Sequence, residues 1–179
     1  MTDDERLPDP EAAIRALPAG AGVVFRHYRD PQRERRGAAL RALCRARRLV
    51  FLVAGDGRLA ARLGADGLHL PEGMGGSLRG WRRRRPGWLI TIAAHSVPAL
   101  RRAAGADAAF VSPVFETASH RGAPGLGPLH LATLTRQSPV PAIALGGVGA
   151  RTARRLNGIR LAGVAAISGL ATKAEGLKP

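Results

Sequence analysis

Short apolar runs recur along the chain, and the segments between them have the three- to four-residue spacing of amphipathic helices. Strands that are apolar on both faces and alternate with helices predict βαβ units and a parallel sheet. The runs are GVVFR (22–26), LVFLVA (49–54), GLHL (67–70), LITIAA (89–94), AAFVS (108–112), VPAIAL (140–145) and LAGVAAI (161–167).

A weak internal repeat narrows the fold class. The segments RLGADGLHL (62–70) and AAGADAAFV (103–111) share a helix end, Gly-Ala-Asp and then a strand. Gly64 and Gly105 are predicted to end helices, after which the chain re-enters the sheet at once. A repeated βα unit favours a compact (β/α) barrel. A Rossmann fold is disfavoured because no G-x-G-x-x-G follows the first run.

The prediction is therefore a single-domain α/β protein, residues 1–179, with a TIM (β/α)8-type barrel. Only seven strands are visible, whereas a closed barrel of this type has eight. The segment TDDERLPDP (2–10) is typical of a loop after a strand, so the first strand is predicted to be missing or truncated. Either the barrel is open at one seam, or the true start lies upstream of Met1. An open seam would leave unpaired edges and favour a homo-oligomer.

Charge is the most unusual feature of the composition. The formal net charge is +15, and Lys173 and Lys178 are the only lysines beside many arginines. Arginine clusters at 33–36, 45–48 and 81–85 leave nucleic-acid binding open as an alternative. Solvated helix faces explain these clusters better, because each lies on or beside a predicted amphipathic helix. The sequence also lacks the interleaved aromatic and basic residues of single-strand binders.

The remaining bulk properties suggest a cytoplasmic location. No apolar run is long enough for a membrane span, and the polar, acidic start MTDDERLPDP is unlike a signal peptide. The single cysteine, Cys44, allows no internal disulfide. Its place in a helical pattern predicts a buried thiol rather than a nucleophile.

Candidate chemistry falls where the predicted strands end, since barrel sites lie at the carboxyl ends of the strands. Gly146 and Gly147 follow one late strand and Ser168 follows the next. Glycines allow the backbone to approach an anion, and loops after the last two strands form the common phosphate site of these barrels. The sequence therefore predicts phosphate binding here; a simple tight turn is the alternative.

A second polar segment follows the strand at 108–112. Thr117, Ser119, His120 and Arg121 offer hydroxyl and cationic donors to an anion. The alternative is an ordinary polar surface loop.

Four histidines differ in how strongly their positions indicate a role in the site. His95 lies at a strand end, where a site role and a helix-capping role are weighted equally, and His27 has a similar position. His69 lies within a strand and is expected to be a core or lining residue, and His130 is expected to be structural. No histidine or carboxylate pair has the spacing of a strong metal motif.

Several motifs, in the same order and spacing, resemble the thiamine phosphate synthase and TenI-like family over about residues 1 to 170. They are LGADGLHL (63–70), AHS (94–96), GADAAFVSPVFET (105–117), LGPLHL (126–131), AIALGGV (142–148) and AAISGL (165–170).

The resemblance implies a TIM barrel and a transferase. The family's synthase joins hydroxymethylpyrimidine pyrophosphate to a thiazole phosphate, which gives thiamine phosphate and pyrophosphate. The residues implied to bind the thiazole phosphate are Gly146, Gly147, Ile167 and Ser168. The residues implied to face the pyrophosphate are Arg26, Thr117, Ser119 and His120. Mg²⁺ is the implied cofactor, because a leaving pyrophosphate needs charge stabilisation.

The chain departs from the family pattern at the metal site. The family's Asn-Asp pair aligns with Ala54-Gly55, and its Gly-Gln-Glu-Asp run aligns with residues 71–74, Pro-Glu-Gly-Met. Asp56 and Glu72 are the remaining candidate metal ligands. Lysines of the family are replaced by Tyr28 and His120, a serine by Ala93, and the tautomerases' histidine by Pro113.

Three hypotheses follow. The first is a synthase-like transferase with a divergent pyrophosphate and Mg²⁺ site. The second is a TenI-like thiazole phosphate isomerase or a non-catalytic binder of thiazole phosphate. The third, ranked last, is an arginine-rich nucleic-acid-binding protein.

Overall fold

A computed structural model describes residues 1–117 and 124–171, with no description of the side chains of residues 170 and 171. Within these ranges, seven strands alternate with helices. The strands are β1 (Gly22–Phe25), β2 (Val50–Ala54), β3 (Gly67–Leu70), β4 (Leu89–Ala94), β5 (Ala108–Val111), β6 (Ala142–Ala144) and β7 (Gly163–Val164). The helices are α1 (Glu11–Arg15), α2 (Arg33–Ala46), α3 (Gly57–Arg62), α4 (Leu78–Arg84), α5 (Val97–Arg102), α6 (Gly127–Gln137), α7 (Ala150–Ala153) and α8 (Ser168–Ala171). Among the described residues, the 3₁₀ segment Glu72–Ser77 precedes α4 and the 3₁₀ segment Arg154–Leu156 follows α7.

All seven strands are parallel, and their order in the sheet is their order in the chain. The predicted seven-stranded α/β architecture is confirmed. The last two strands are shorter than predicted: β6 spans 142–144 and β7 only 163–164. Their ladder is limited to the pairs Ile143 with Gly163 and Ala144 with Val164. The remaining apolar residues of the two predicted runs lie outside these strands.

Alternate residues of the strands face two different environments, as the pleat requires. Phe25, Phe51 and Ile90 point outward, where they join the main core under the helices. Val24 and Phe110 belong to a separate inner cluster within the curled sheet. The outer core packs the helices against the sheet, and the inner cluster is the smaller of the two.

The first residues of the chain lie between the two ends of the sheet. The backbone N–H of Thr2 donates to the carbonyl of Val24 in β1, at 2.9 Å. The amino group of Met1 donates to the carbonyl of Ala166, just after β7, at 2.8 Å. These residues make contacts at the predicted open seam. The expectation of a missing first strand stays a prediction.

Other local predictions can be compared with the structure. Gly64 and Gly105 have φ values of +58° and +93°, so both end their helices in the left-handed region as predicted. Cys44 is fully buried, and burial raises the pKa of its thiol to about 11. Within the described ranges, every helix is too short or too polar to cross a membrane.

Candidate active site

A large cavity, of about 1060 Å³, opens at the carboxyl end of the sheet. This is the end where a barrel of this type places its chemistry. Residues that follow or end β1, β3, β4, β5, β6 and β7 line it. The sequence-predicted residues in this lining are Arg26, Glu72, His95, Thr117, Gly146, Gly147, Ile167 and Ser168.

The loop after β6 forms one wall of the cavity, and steric contacts require glycine at two of its positions. Gly146 and Gly147 have φ values of +90° and +63°. A Cβ on Gly147 would lie 2.7 Å from the carbonyl oxygen of Glu116, and one on Gly146 would lie 2.7 Å from the Cα of Pro113. The tight-turn interpretation therefore has direct support. The same packing brings the loops after β5 and β6 together in one wall.

Backbone hydrogen bonds fix the two loops against each other. The N–H of Phe115 donates to the carbonyl of Gly146 at 3.0 Å, and the N–H of Val114 donates to that of Leu145 at 2.9 Å. The hydroxyl of Thr152 donates to the carbonyl of Gly147 at 2.8 Å. This wall is thus preorganised rather than assembled by a ligand.

Cationic side chains approach the cavity from β1 and the first segment of the chain. A guanidinium nitrogen of Arg26 lies 3.6 Å from the carboxylate of Asp3, which also pairs with Arg6 at 2.6 Å. Burial of Asp3 alone would raise its pKa, but hydrogen bonds and charge from Arg6 outweigh burial and hold that pKa well below its usual range. The carboxylate therefore stays ionised. Arg6 and Arg26 both line the cavity, so Asp3 orients two cations toward one space.

A neutral histidine lies inside the curled sheet at the cavity. His69 in β3 is paired in register with Thr91 in β4, and its Nδ1 is 2.9 Å from the Thr91 hydroxyl. Its ring meets the edge of Phe110 with centroids 5.1 Å apart. Burial lowers the pKa of His69 to about 3, so the ring is neutral at physiological pH. The expectation of a core or lining residue is confirmed.

Both candidate metal ligands have partners within the protein. Asp56 caps α3, where its Oδ1 accepts the N–H of Leu59 at 2.8 Å, and it is absent from the described cavity lining. Glu72 accepts the backbone N–H of His95 at 2.8 Å, and its carboxylate is 2.7 Å from the ring Nδ1 of the same residue. Within residues 1–117 and 124–171, no group of three His, Cys, Asp or Glu side chains could hold a metal ion.

The histidine predictions have mixed outcomes. His95 lines the cavity and contacts Glu72, and the adjacent Ser96, not His95, caps α5. His27 is buried and bonds to the Thr2 hydroxyl, which gives it a structural role. His130 lies in α6. Ser119 and His120, like Arg121, lie outside the described residues.

Sequence reasoning missed three charged residues of the lining: Arg6, Glu116 and Arg151. Glu116 is part of the VFET motif, and Arg151 comes shortly after Gly147, so both stood next to predicted site loops. Arg6 gave no comparable signal, because its place depends on how the first segment folds back onto β1. Its partner Asp3 is local in sequence, but the contact between Asp3 and Arg26 joins distant parts of the chain.

Comparison with known proteins decides the family. Residues 2–170 match the family model described as thiamine monophosphate synthase. The chain belongs to this family. Thiamine-phosphate synthase of Alcanivorax borkumensis is 32% identical over 179 residues, which cover 95% of this chain and 80% of that protein. That of Chromobacterium violaceum is 35% identical over 178 residues, with 94% and 83% covered.

Two further matches are a longer relative and a solved structure. The Thiamine biosynthesis bifunctional protein ThiED of Geobacter sulfurreducens is 36% identical over 151 residues, covering 82% of this chain but only 30% of that longer protein. The solved structure of thiamine phosphate pyrophosphorylase from Pyrococcus furiosus superposes with a TM-score of 0.79 at 24% identity, covering 97% and 93% of the two chains. That superposition confirms the TIM-like fold.

Proposed function

We propose that this protein is a thiamine phosphate synthase-like transferase. It joins hydroxymethylpyrimidine pyrophosphate to a thiazole phosphate and releases pyrophosphate. The observation that carries the proposal is the large cavity at the carboxyl end of the sheet, which combines a glycine-rich wall with arginine side chains on the β1 side. The family match over residues 2–170 supports this reaction.

The wall made by the β6 and β7 loops suits a phosphate monoester. Gly146 and Gly147 let the backbone approach an anion closely. Ile167 and Ser168, which follow β7, line the cavity beside them. Arg151 lines the same wall and supplies a positive charge. We assign the thiazole phosphate to this wall.

Other residues of the cavity lining suit the leaving pyrophosphate. Arg26 lies at the end of β1 and Thr117 in the loop after β5. Fixed cations that face a developing negative charge stabilise a transition state without reorganisation. We assign charge stabilisation to Arg26 and hydrogen bonding to Thr117. Ser119 and His120 remain predictions of the same kind.

The Mg²⁺ that the family resemblance implies does not fit the described residues. Asp56 is committed to the cap of α3, and the Glu72 carboxylate to His95. The assigned chemistry is therefore limited to what the protein's own side chains do: bind, orient and stabilise charge.

The test is product formation by purified protein supplied with both substrates. Thiamine phosphate and pyrophosphate should appear in equal amounts and only when both substrates are present. An Arg26→Gln variant should lose about 100-fold or more in kcat/KM, the scale of losing a charge-stabilising donor in other enzymes. Absence of product under all metal conditions would refute the synthase assignment.

The commitment of Asp56 and Glu72 to other partners favours one second candidate, a binder or isomerase of thiazole phosphate. That candidate needs only the glycine-rich wall. It predicts a thermal shift with thiazole phosphate but no condensation product, and both measurements can be made on the same protein preparation.

A further inference from the structure

The place where the family carries a metal-binding aspartate is a crowded glycine in this protein. That aspartate aligns with Gly55, whose φ is +73°. A Cβ built on Gly55 would lie 3.2 Å from the ring of Tyr28 and 3.8 Å from Pro71. Residues other than glycine rarely adopt this backbone conformation. The Tyr28 ring lies against the position that a Cβ would occupy. A side chain at this position would require the Tyr28 ring to shift by a few tenths of an ångström.

The guanidinium group of Arg33 packs against the Tyr28 ring that covers Gly55. The Cζ atom of Arg33 lies 5.1 Å from the centre of the Tyr28 ring and 5.7 Å from the centre of the Phe25 ring. Arg33 donates to the carbonyl of Ala54 at 2.7 Å, and another of its nitrogens is 3.9 Å from Asp56. The backbone and the carboxylate nearest to the family's metal site therefore already have a cationic partner.

The second acidic run of the family gives the same result. Its last two positions are Gly73 and Met74, within the 3₁₀ segment, and neither is in the described cavity lining. Glu72 remains in the lining but is engaged with the backbone and ring of His95. At both places where the family has acidic residues, this chain thus has a residue without a carboxylate or a carboxylate that already has a partner.

Cationic charge is present on the β1 side of the cavity instead. Arg26 and Arg6 line it and share the carboxylate of Asp3. Tyr28, beside them, also lines the cavity and offers a neutral hydroxyl donor. A guanidinium presents paired N–H donors in a geometry that matches phosphate oxygens, and it needs no dissociable ion to do so.

We propose that this protein binds the diphosphate group of its substrate directly on arginine side chains, with Arg26 as the principal contact, and without a divalent cation. The identity of the substrate rests on the proposed function. The binding mode rests on the crowded glycine at position 55, on the existing partners of Asp56 and Glu72, and on the arginines of the lining.

Calorimetric titration of the purified protein with inorganic pyrophosphate tests the proposal. The dissociation constant in excess chelator should be within about threefold of that in excess Mg²⁺. Arg26→Gln should weaken binding by about tenfold or more, which corresponds to the loss of one charge-assisted contact. Arg29→Gln is the matched control: its side chain is 82% exposed, pairs with Glu5 and is absent from the described lining.

An Arg26→Lys variant guards against a folding defect, since it keeps the charge but loses the paired donors; it should also bind more weakly than the unmodified protein. Binding seen only with Mg²⁺, no binding in either condition, equal effects of the Arg26 and Arg29 changes, or unweakened binding by Arg26→Lys would each overturn the proposal.

Product assays separate this inference from the proposed function. Thiamine phosphate formed in chelator supports both. Product formed only with Mg²⁺ leaves the function standing and overturns the inference. Metal-free pyrophosphate binding without any product leaves the binding mode standing and removes the synthase assignment.

Discussion

Glycines in the site wall differ sharply in what they require of the backbone. Gly147 has φ of +63°, and a Cβ there would lie 2.7 Å from both the Glu116 carbonyl oxygen and the Cβ of Phe115. Gly149, two residues on, has an extended φ of −152°, and a Cβ added there would have no atom within 4 Å among the described residues. The requirement for glycine therefore comes from the left-handed backbone and close contacts at a particular position and is absent two residues later.

Replacing Gly147 with alanine should lower the free energy of unfolding by about 2 kcal/mol or more, because left-handed strain and the backbone clash act together. Gly149→Ala is the control and should cost under about 1 kcal/mol, the difference between these residues at a helix cap. Denaturant unfolding of both variants gives the comparison. Equal losses would contradict the steric explanation.

His69 is a buried titratable group that must be neutral in the folded protein. Its pKa is about 3 in the structure, against an ordinary value of 6.5, and desolvation by burial is the main cause. The unfolded chain binds a proton at this residue below about pH 6.5, while the folded chain does not until about pH 3. Stability contributed by neutral His69 is thus complete above the higher value and falls as the pH drops.

Between about pH 7 and about pH 5, this linkage should lower the free energy of unfolding by about 2 kcal/mol. The His69→Gln variant, which cannot titrate, should lack that part of the slope. Denaturant unfolding at several pH values measures both proteins. Parallel pH dependences would show that His69 is not the titrating group.

Among the βα units, the Gly-Ala-Asp repeat has a structural explanation. Asp66 accepts the N–H of Phe51 in β2 at 2.7 Å and pairs with Arg41 of α2. Asp107 accepts the N–H of Ile90 in β4 at 2.7 Å and pairs with Arg82 of α4 at 2.6 Å. Each aspartate thus joins the preceding strand to the helix that leads into that strand. Both units are held by the same pair of contacts.

Asp107→Ala should destabilise the protein by about 1–2 kcal/mol, because the N–H of buried Ile90 loses its partner. Asp9→Ala is the control, since the Asp9 side chain is 88% exposed; its effect should be within about 0.5 kcal/mol. Thermal or denaturant unfolding decides. Similar small effects of both changes would mean that the repeat does not hold the unit together.

Across the molecule as a whole, the two ends of the sheet meet through the first residues of the chain. Thr2 is 1% exposed, and its hydroxyl oxygen accepts the N–H of Arg26 at 2.9 Å. The same oxygen lies 2.9 Å from Nδ1 of His27. One small polar side chain therefore connects the seam of the sheet to the strand end that carries Arg26.

Thr2→Val keeps the shape of the side chain but removes this oxygen, and it should cost about 1–3 kcal/mol of unfolding free energy. The variant should also bind pyrophosphate more weakly, because the backbone of Arg26 loses an anchor. Thr133→Val is the control: its hydroxyl lies on an exposed helix face and donates to Leu129 within α6. Unchanged stability of Thr2→Val would show that the seam contacts are dispensable.

The number, order and direction of the strands could be read from the sequence alone, since they follow from local apolar periods and from short helical connections. The placement of Gly146, Gly147 and Arg26 at strand ends could be read in the same way, and parallel strands bring such ends to one edge. These features depend on neighbours along the chain, so pattern alone was sufficient.

Which charged groups face the cavity depends instead on packing in three dimensions. Asp56 follows a strand end, as a metal ligand would, yet it caps α3 because it accepts the N–H of Leu59. Tyr28 covers Gly55, and Arg6 enters the lining, through contacts between segments that are far apart in sequence. Side-chain commitments of this kind arise from packing between distant segments, and no local period encodes them.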